Sequence, residues 1–411
     1  MDSITQATLG AAVGQAILGK KLGNKAIFLG AVAGTIPDLD VLSRLFLDHE
    51  IYGLIYHRGF THSIAFTVLL APVFGWFTQL YYQKGLHHHR TTQSLLAVFW
   101  AGLYALLLVA LAAGSYFSFS PVLISLTLLA TFGAYKLYRH LHKKISQPDT
   151  SKYDVSLFAF STMYFFAFLT HWLIDACTAY GTQIFEPFSR FKNAFNNISI
   201  VDPLYTVPMI IGLMVALFAK NYATKKRANY IGIGVASLYL ASTFYTKSIM
   251  NKVVAANLNE QNIQFEEYIT YPSIFNTVLW QTTIKTADAY YYGYYSMLSK
   301  EKTIQFIKLP KNHDLIEKYK GEEYLNILLW FANGYYNVVE QADGSIVFNN
   351  LRFGMMGLPE DSSVPQEDQY IFRFKLTEKN GEFDVEEYRD FDQLDMGEMA
   401  ETLWSRIKGQ E

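Results

Sequence analysis

The stretch SIAFTVLLAPVFGWFTQLYY at Ser63–Tyr82 contains no charged residue and is long enough to cross a lipid bilayer. A helix of about 20 apolar residues spans the roughly 30 Å hydrocarbon core of a membrane. Comparable runs follow along the first half of the chain, at Ser94–Gly114, Pro121–Tyr138, Val155–Ile174, Pro203–Ala219 and Tyr230–Thr246. The sequence therefore predicts a multi-span α-helical membrane domain with about six long spans.

Two shorter apolar segments, Ile4–Leu18 and Ala26–Ile36, precede these spans. Small residues recur in both of them, at Gly10, Gly14, Gly30 and Gly34. Small side chains allow two helix backbones to approach closely inside a membrane bundle. We therefore predict two short N-terminal helices that pack tightly inside the bundle.

The charged residues divide the chain into two parts. Hydrophobic residues make up 51% of the chain and charged residues only 17%, whereas soluble domains carry about 25% charged residues. Of the 34 basic and 36 acidic residues, 19 and 10 fall in residues 1–249, which leaves 15 and 26 for residues 250–411. We predict a helical membrane domain at 1–249 that carries the functional site, followed by a small soluble α+β domain at 250–411.

The composition also excludes several classes of protein and site. A single cysteine, Cys177, excludes an intrachain disulfide framework, a Cys-rich zinc site and an iron–sulfur cluster. A pI near 6.6 gives no indication of the basic surface that nucleic-acid binding requires. No nucleic-acid partner is therefore expected, and membrane lipid is the expected surrounding.

Residues 250–411 show the alternation of apolar and polar positions that is typical of half-buried strands. The predicted strands are Ile263–Thr270, Thr303–Leu309 and Gln369–Leu376. The tripeptide Ala342–Gly344 predicts a hairpin turn, and helices are expected near Asp314–Leu329 and Met396–Ile407. Few side chains in this domain suit catalysis, so we expect the functional site in the membrane half.

Basic residues are distributed unevenly between alternate loops of the predicted bundle. One set of loops carries thirteen lysines and arginines, and the other set carries four. Cytoplasmic loops carry the excess of basic residues in membrane proteins. The outer side is therefore expected to hold the stretch before Ser63, the end of the span at Ile174 and the domain 250–411.

Three motifs place acids and histidines beside the apolar segments. They are Asp38 and Asp40 in GTIPDLD, His57, Arg58 and His62 in HRGFTHS, and His171 and Asp175 in HWLIDA. An ionisable side chain at such depth costs about 2.5–3.5 kcal/mol on insertion scales, so each one predicts a function. His171 and Asp175 are four residues apart on a predicted helix, so both side chains face one side and can bind one ion. Histidine and carboxylate ligands suit Zn²⁺ or Mn²⁺, and several carboxylates permit two ions.

Purely structural roles are the alternative interpretation of these motifs. His171 would then be a packed, hydrogen-bonded histidine, and Asp175 would cap the next segment. Asp38 and Asp40 would form a helix stop and an N-cap after a proline. The predicted topology favours function, because it places all three motifs at the same outer face.

A loop at Tyr180–Ser189 follows the third motif on the same side. Gly181 and Pro187 indicate a loop rather than a helix. Within it, Glu186 and Ser189 are candidates for the rim of a substrate site, and a structural loop is the equal alternative.

Together these stretches resemble a known family. The N-terminal stretch Met1–Leu42, then HRGFTHS, then HWLIDACTAYGTQIFEPFS, resemble the bacterial inner-membrane metal-dependent hydrolases of the YdjM type, a DUF457-like family, over roughly residues 1–220. The resemblance implies a membrane-embedded hydrolase with a divalent metal held by His and Asp. It supports the site residues Asp38, Asp40, His57, His62, His171 and Asp175. Many relatives begin with a Thr-His pair where this chain has Thr5-Gln6, so no ligand is expected at position 6.

The motifs predict a membrane-bound metal-dependent hydrolase that acts at the outer face on a phospholipid or another phosphate- or ester-bearing amphiphile. One or two ions, Zn²⁺ before Mn²⁺, would be bound by Asp38, Asp40, His62, His171 and Asp175. His57 would be a ligand or a general acid. Arg58 would hold a substrate phosphate through its forked guanidinium.

Two other functions remain open at this point. A metal-free membrane phosphatase would use a histidine nucleophile and needs several cations that converge on the phosphate, for which Arg58 and Arg190 are the candidates. A transporter or scaffold would use intramembrane His and Asp for ions, and should carry charges near mid-membrane and broken helices in both halves.

Overall fold

The structure is a computed structural model of the 411-residue chain. It describes residues 1–118, 152–341, 343–355, 370–379, 382–388 and 396–409, together with scattered positions between 124 and 142. The described chain is mainly helical up to Glu260 and rich in strands beyond it. It forms two compact units, one made of Met1–Ala71 with Thr162–Glu411 and the other of Pro72–Ser161. All the predicted site residues belong to the first unit.

Two helices of 20 and 12 residues open the chain, α1 at Ser3–Leu22 and α2 at Asn24–Thr35. Asp2 begins α1 as its N-cap by accepting hydrogen bonds from the backbone of the first turn, and Lys20 and Lys21 lie in the last turn, where positive charge is favourable. Glycines line the contact between the two helices. A Cβ atom added at Gly30 would lie 2.2 Å from the carbonyl oxygen of Gly10, so the backbones touch directly.

A 3₁₀-helix at Pro37–Phe46 follows α2, with Pro37 in its first turn, and a short helix α3 covers Gly53–Tyr56. Three longer helices come next: α4 at Ile64–Gln83, α5 at Arg90–Ser118 and α6 at Leu157–Cys177. The chain then forms α7 at Pro203–Phe218 and α8 at Tyr222–Glu260.

The prediction of about six long spans is wrong for the part of the chain that the structure describes. Two helices, α4 and α6, are long and apolar enough to cross a membrane, and the number rises to three if α2 and the 3₁₀-helix, bent by 45°, form one broken span. The helix α7 has only 16 residues, which reach about 24 Å and fall short of the hydrocarbon core.

The other predicted spans fail for different reasons. Tyr230–Thr246 lies within α8, whose sequence is rich in hydroxyl side chains and lysines. Ser94–Gly114 lies within α5, and several side chains of that helix are outside the described residues. Most of Pro121–Tyr138 is outside them too.

The helix α8 links the helical part of the chain to the strands. Asn229 in its first half donates a hydrogen bond to the carbonyl oxygen of Ala12 in α1 at 2.9 Å. Met250, Val254 and Leu258 in its second half are buried in a core with strand residues. The predicted domain boundary at 249/250 therefore falls inside a continuous helix.

The C-terminal part contains two four-stranded antiparallel sheets in which each strand pairs with its neighbour in sequence. The first sheet is made of β1 at Glu267–Pro272, β2 at Leu279–Lys285, β3 at Ala289–Ser296 and β4 at Ile307–Pro310. The second is made of β5 at Tyr336–Glu340, β6 at Ile346–Met355, β7 at Tyr370–Lys379 and β8 at Glu382–Glu387. Two helices accompany them, α9 at Glu323–Ala332 and α10 at Met396–Ile407. The predicted hairpin is confirmed, because β5 pairs with β6 across the predicted turn.

The second sheet shares a hydrophobic core with the site region of the helical part. Ile51 and Leu54, in the segment that leads to the second motif, pack with Leu328, Phe331 and Phe348. Tyr180, in the loop after α6, belongs to the same core. The C-terminal sheets therefore support the loops that carry the motifs.

Candidate metal centre

Four side chains from three elements converge at one point. Asp38 comes from the 3₁₀-helix, His62 from the turn before α4, and His171 and Asp175 from the end of α6. One ligand atom from each of the four lies within 4.8 Å of the others. The side chains of His62, His171 and Asp175 are fully buried, whereas that of Asp38 is 21% exposed. This cluster of His and Asp could hold a metal ion.

The contacts inside the cluster bring two ring nitrogens and two carboxylate oxygens together. The Nε2 atoms of His62 and His171 are 3.0 Å apart. Asp38 Oδ1 lies 3.4 Å from both nitrogens, and Asp175 Oδ2 lies 3.3 and 3.4 Å from them. Asp175 Oδ2 is buried and accepts no hydrogen bond from any residue that the structure describes. A buried acceptor without a donor is costly, and a cation at the centre of the cluster would remove that cost.

Each histidine is oriented by a partner on its other ring nitrogen. The His171 Nδ1–H group donates to the carbonyl oxygen of Gly34 at 2.7 Å, because a carbonyl can only accept. His62 Nδ1 faces Asp40 Oδ2 at 3.4 Å. Partners of this kind are typical of histidines that bind metals, since they direct the opposite nitrogen toward the ion.

The other oxygen of Asp175 is held by positive and amide groups. Arg58 Nη2 lies 3.3 Å from Oδ1, and Gln6 Nε2 donates to it at 3.0 Å. The amino group of Met1 contacts the same oxygen. Gln6 also donates to the carbonyl oxygen of His171. Position 6, where the resemblance predicted no ligand, therefore carries a residue that fixes the side chain of Asp175.

Asp40 lies outside the four-residue cluster and binds the second motif instead. Its Oδ2 accepts a hydrogen bond from the backbone N–H of Arg58 at 2.7 Å, and its Oδ1 lies 3.1 Å from His57 Nδ1. Arg58 has a left-handed backbone with φ of 57°, a conformation that few residues other than glycine adopt. Asp40 thus holds a strained turn that carries both His57 and Arg58.

His57 and Arg58 differ in how far their side chains are exposed and already bound to other groups. His57 is partly exposed and 6.5 Å from His62 between ring centres, and burial lowers the pKa of its imidazole despite the contact with Asp40. The guanidinium of Arg58 is buried and already bound to Asp175, Thr178 Oγ1 and the carbonyl oxygen of Gly181. Arg58 therefore orients a cluster residue, and His57 is the better placed of the two to exchange a proton.

The two predicted rim residues lie farther out. Glu186 is 3.5 Å from the exposed Arg190, and the Ser189 hydroxyl accepts a hydrogen bond from the backbone of Phe191 at 3.2 Å. No contact among the described residues joins either of them to the four-residue cluster.

Three residues near the site were not expected from the sequence. Tyr180 lies with its ring centre 5.1 Å from the ring of His57 and 5.1 Å from Arg58 Cζ. The Nζ atom of Lys192 lies over the same ring, 3.9 Å from its centre. Arg352, from β6, donates to the carbonyl oxygen of Ala179. Lys192 counted only as a loop charge in the sequence, and Arg352 belongs to a domain in which no chemistry was expected.

Comparisons with known proteins identify the family of the helical part of the chain. The family described as YdjM inner membrane protein matches residues 1–250 of this chain. Neither the curated proteins nor the solved structures contain a match. The matched region covers more than half of the 411 residues and includes every residue of the four-residue cluster. The chain therefore belongs to the YdjM inner membrane protein family.

Proposed function

We propose that this protein is a membrane-bound metal-dependent hydrolase whose ion is held by Asp38, His62, His171 and Asp175. The observation that carries the proposal is the convergence of one ligand atom from each of these buried or half-buried residues. Ionisable groups are expensive inside a membrane protein and mark functional sites by default.

The spacing of the two histidine nitrogens from each other and from the two carboxylate oxygens supports a single ion of the size of Zn²⁺, and all four atoms lie within 4.8 Å of one another. Ligands about 2.0–2.1 Å from a tetrahedral zinc ion are separated from each other by about 3.3 Å. The separations between the histidine nitrogens and the two carboxylate oxygens run from 3.0 to 3.4 Å. Mn²⁺ accepts the same donors and is the second candidate. Since Asp40 is engaged elsewhere, we propose one ion rather than two.

The exposure of the ligands indicates where a substrate would approach. Asp38 is the one ligand whose side chain is partly exposed, so the open side of the ion would lie there. The 3₁₀-helix that carries it also exposes Leu45 (76%) and Phe46 (85%). Exposed apolar side chains on the helix that carries Asp38 support a substrate with a hydrocarbon part, that is, an amphiphile.

When bound, the ion would supply Lewis acidity at the scissile group and an activated water. The residues of the chain then have distinct tasks. Arg58 and Gln6 fix the carboxylate of Asp175, and Asp40 fixes the turn that presents His57. His57, whose pKa is lowered by burial, would exchange a proton with the substrate as the general acid or base.

The location of the reaction is part of the proposal. The family name supports an inner membrane. The site lies at the start of α4 and the end of α6, whereas the basic residues Lys84 and Arg90 follow the other end of α4, and this supports a site and a C-terminal domain outside the cytoplasm. A phosphate or ester bond of an amphiphile in the outer leaflet would then be the bond hydrolysed.

The test is the metal content of the purified full-length protein. We expect about one divalent ion per chain in the wild type after reconstitution with Zn²⁺ or Mn²⁺, measured by inductively coupled plasma mass spectrometry. His171→Ala and Asp175→Ala should lose both the ion and hydrolysis of a phosphate-bearing lipid, because the loss of one ligand leaves a poorly held ion.

His89→Ala is the matched control, since His89 is exposed in the loop after α4 and should keep both the metal and the activity. A wild-type protein that binds no divalent ion would refute the proposal and leave the metal-free phosphatase and the transporter. Normal metal content in a poorly folding His171→Ala variant would assign that histidine a structural role.

A further inference from the structure

A cavity of about 310 Å³ lies outside the four-residue cluster. Its lining comes from the loop after α6, from α9 and from β6, and consists of Arg190, Phe191, Lys192, Trp330, Asn333 and Arg352. The helical part and the C-terminal sheets therefore both contribute to it. Its volume is within the range of about 300–1,000 Å³ that is typical of small-molecule sites.

Lys192 brings a buried ammonium group to this cavity. The side chain is partly exposed along its stem, but its Nζ atom is buried and has no hydrogen-bond partner among the described residues. The nitrogen lies 3.9 Å from the ring centre of Tyr180, 4.7 Å from that of Phe331 and 5.0 Å from that of Trp330. Contacts with aromatic faces attract the charge but leave the three N–H donors of the ammonium group without acceptors.

Arg352 adds a second buried cation. Its guanidinium donates to the carbonyl oxygens of Phe331 and Ala179 at 3.1 and 3.4 Å. In the part of the chain that the structure describes, no carboxylate pairs with Lys192 or Arg352. Two buried cations without a counter-ion are unfavourable, and an anion in the cavity would satisfy both.

The electrostatic environment of Lys192 agrees with this interpretation. Burial lowers the pKa of its ammonium group well below the ordinary value, and the charges of Arg352 and Arg58 act in the same direction. A bound anion would oppose this effect, because it stabilises the protonated form.

We propose that this cavity binds a phosphate group through Lys192 and Arg352. The inference rests on the proposed function, since it assigns the substrate of the hydrolase to the phosphate-bearing amphiphiles. Tyr180 links the two places: one contact of its ring is Lys192 in the cavity, and others are His57 and Arg58 beside the ion. The C-terminal domain then has a role in recognition, because it supplies Arg352.

The test is isothermal titration calorimetry on full-length protein in detergent, stripped of metal by a chelator so that the ion cannot bind the probe. Inorganic phosphate and dihexanoyl phosphatidic acid are the two probes, and dihexanoylglycerol is the uncharged comparison. We expect both phosphates to bind and the uncharged lipid not to. Tighter binding of phosphatidic acid would identify a lipid headgroup as the ligand, and equal or exclusive binding of inorganic phosphate would identify a free phosphate.

Lys192→Met keeps the length of the side chain and removes its charge, so phosphate affinity should fall at least tenfold. Lys192→Arg should retain most of the phosphate affinity. Arg352→Gln removes the second cation and should independently lower the phosphate affinity. Lys308→Met is the matched control, because Lys308 is exposed and pairs with Asp288 on the surface. Unchanged phosphate affinity in both Lys192→Met and Arg352→Gln would overturn the proposal.

The two proposals fail separately. Lys192→Met should keep the full metal content, and His171→Ala should keep the phosphate affinity measured without metal. Phosphate binding in a protein that never binds a divalent ion would refute the hydrolase proposal and support the phosphate-binding cavity. Metal binding without any phosphate binding would refute the cavity and support the metal centre.

Discussion

Gln6 contributes to the proposed metal centre without being a candidate ligand. Its amide donates to Asp175 Oδ1 and to the carbonyl oxygen of His171, so one side chain fixes two neighbouring turns of α6. Outer hydrogen bonds of this kind set the direction of a ligand and its affinity for the ion.

We expect Gln6→Ala to weaken metal binding by about 10- to 100-fold, the usual effect of removing such a partner, while the protein remains folded. Competition with a chromogenic zinc chelator measures this affinity. Gln15→Ala is the control on the same helix, because the buried amide of Gln15 has no hydrogen-bond partner and its removal should leave the affinity unchanged. Equal metal affinity in Gln6→Ala and the wild type would remove Gln6 from the site.

The residue scale also shows how far the sequence predicts the site. The pair His171 and Asp175 follows from helical spacing, which is the most regular pattern in the chain. Asp38 and Asp40 could not be separated in this way, because their roles depend on the 3₁₀-helix that contains them. A 3₁₀-helix turns about 120° per residue, so side chains two positions apart point in different directions, one to the cluster and the other to His57.

At the scale of elements, the glycine contact between α1 and α2 determines the position of a ligand. The backbones of Gly10, Gly14, Gly30 and Gly34 meet directly. The carbonyl oxygen of Gly34 also accepts the hydrogen bond that orients His171. Separating these two helices would therefore move the metal centre as well as loosen the bundle.

Gly30→Ala tests this coupling. Its new methyl group would overlap the carbonyl oxygen of Gly10, and overpacking of this kind costs about 1–3 kcal/mol of unfolding free energy. We expect a lower thermal unfolding temperature in detergent together with weaker metal binding. Gly234→Ala is the control in α8, because nothing lies within 4 Å of its added Cβ, and it should be neutral or stabilising.

The lengths of the elements explain why the number of spans was overpredicted. Hydropathy identifies apolar composition, whereas a span also requires enough continuous helix, which α7 lacks with 16 residues. The helix α8 is long enough, because its 39 residues extend well past both ends of the predicted run. The end of an apolar run in the sequence therefore did not mark the end of the helix.

At the scale of the whole molecule, the C-terminal domain packs directly against the segments that carry the site. Its second sheet shares a core with Tyr180 and with the segment around Ile51 and Leu54. The sequence indicated a separate soluble domain because its charge and strand pattern are local features. Its contact with the site is a product of tertiary packing between residues more than a hundred positions apart, and no local pattern predicts it.

This association makes the topology testable from the C-terminus. If residues 250–411 lie outside the cytoplasm, a reporter that fluoresces only in the cytoplasm should give no signal when it is fused after Glu411. The same reporter inserted at Gly85, in a predicted cytoplasmic loop, should be bright, because positive charge flanks that loop at Lys84 and Arg90. Fluorescence from the C-terminal fusion would contradict both the topology and the outer location of the site.

The continuity of α8 has a geometrical consequence for the whole protein. A helix advances about 1.5 Å and turns about 100° with every residue, so the number of residues between Asn229 and Val254 sets the angular phase of the two parts that this helix joins. A single extra residue in that interval would rotate the buried face of Val254 by more than a quarter turn relative to that of Asn229. The length of this interval therefore fixes both the distance and the relative rotation of the two parts, whereas a flexible linker would fix neither.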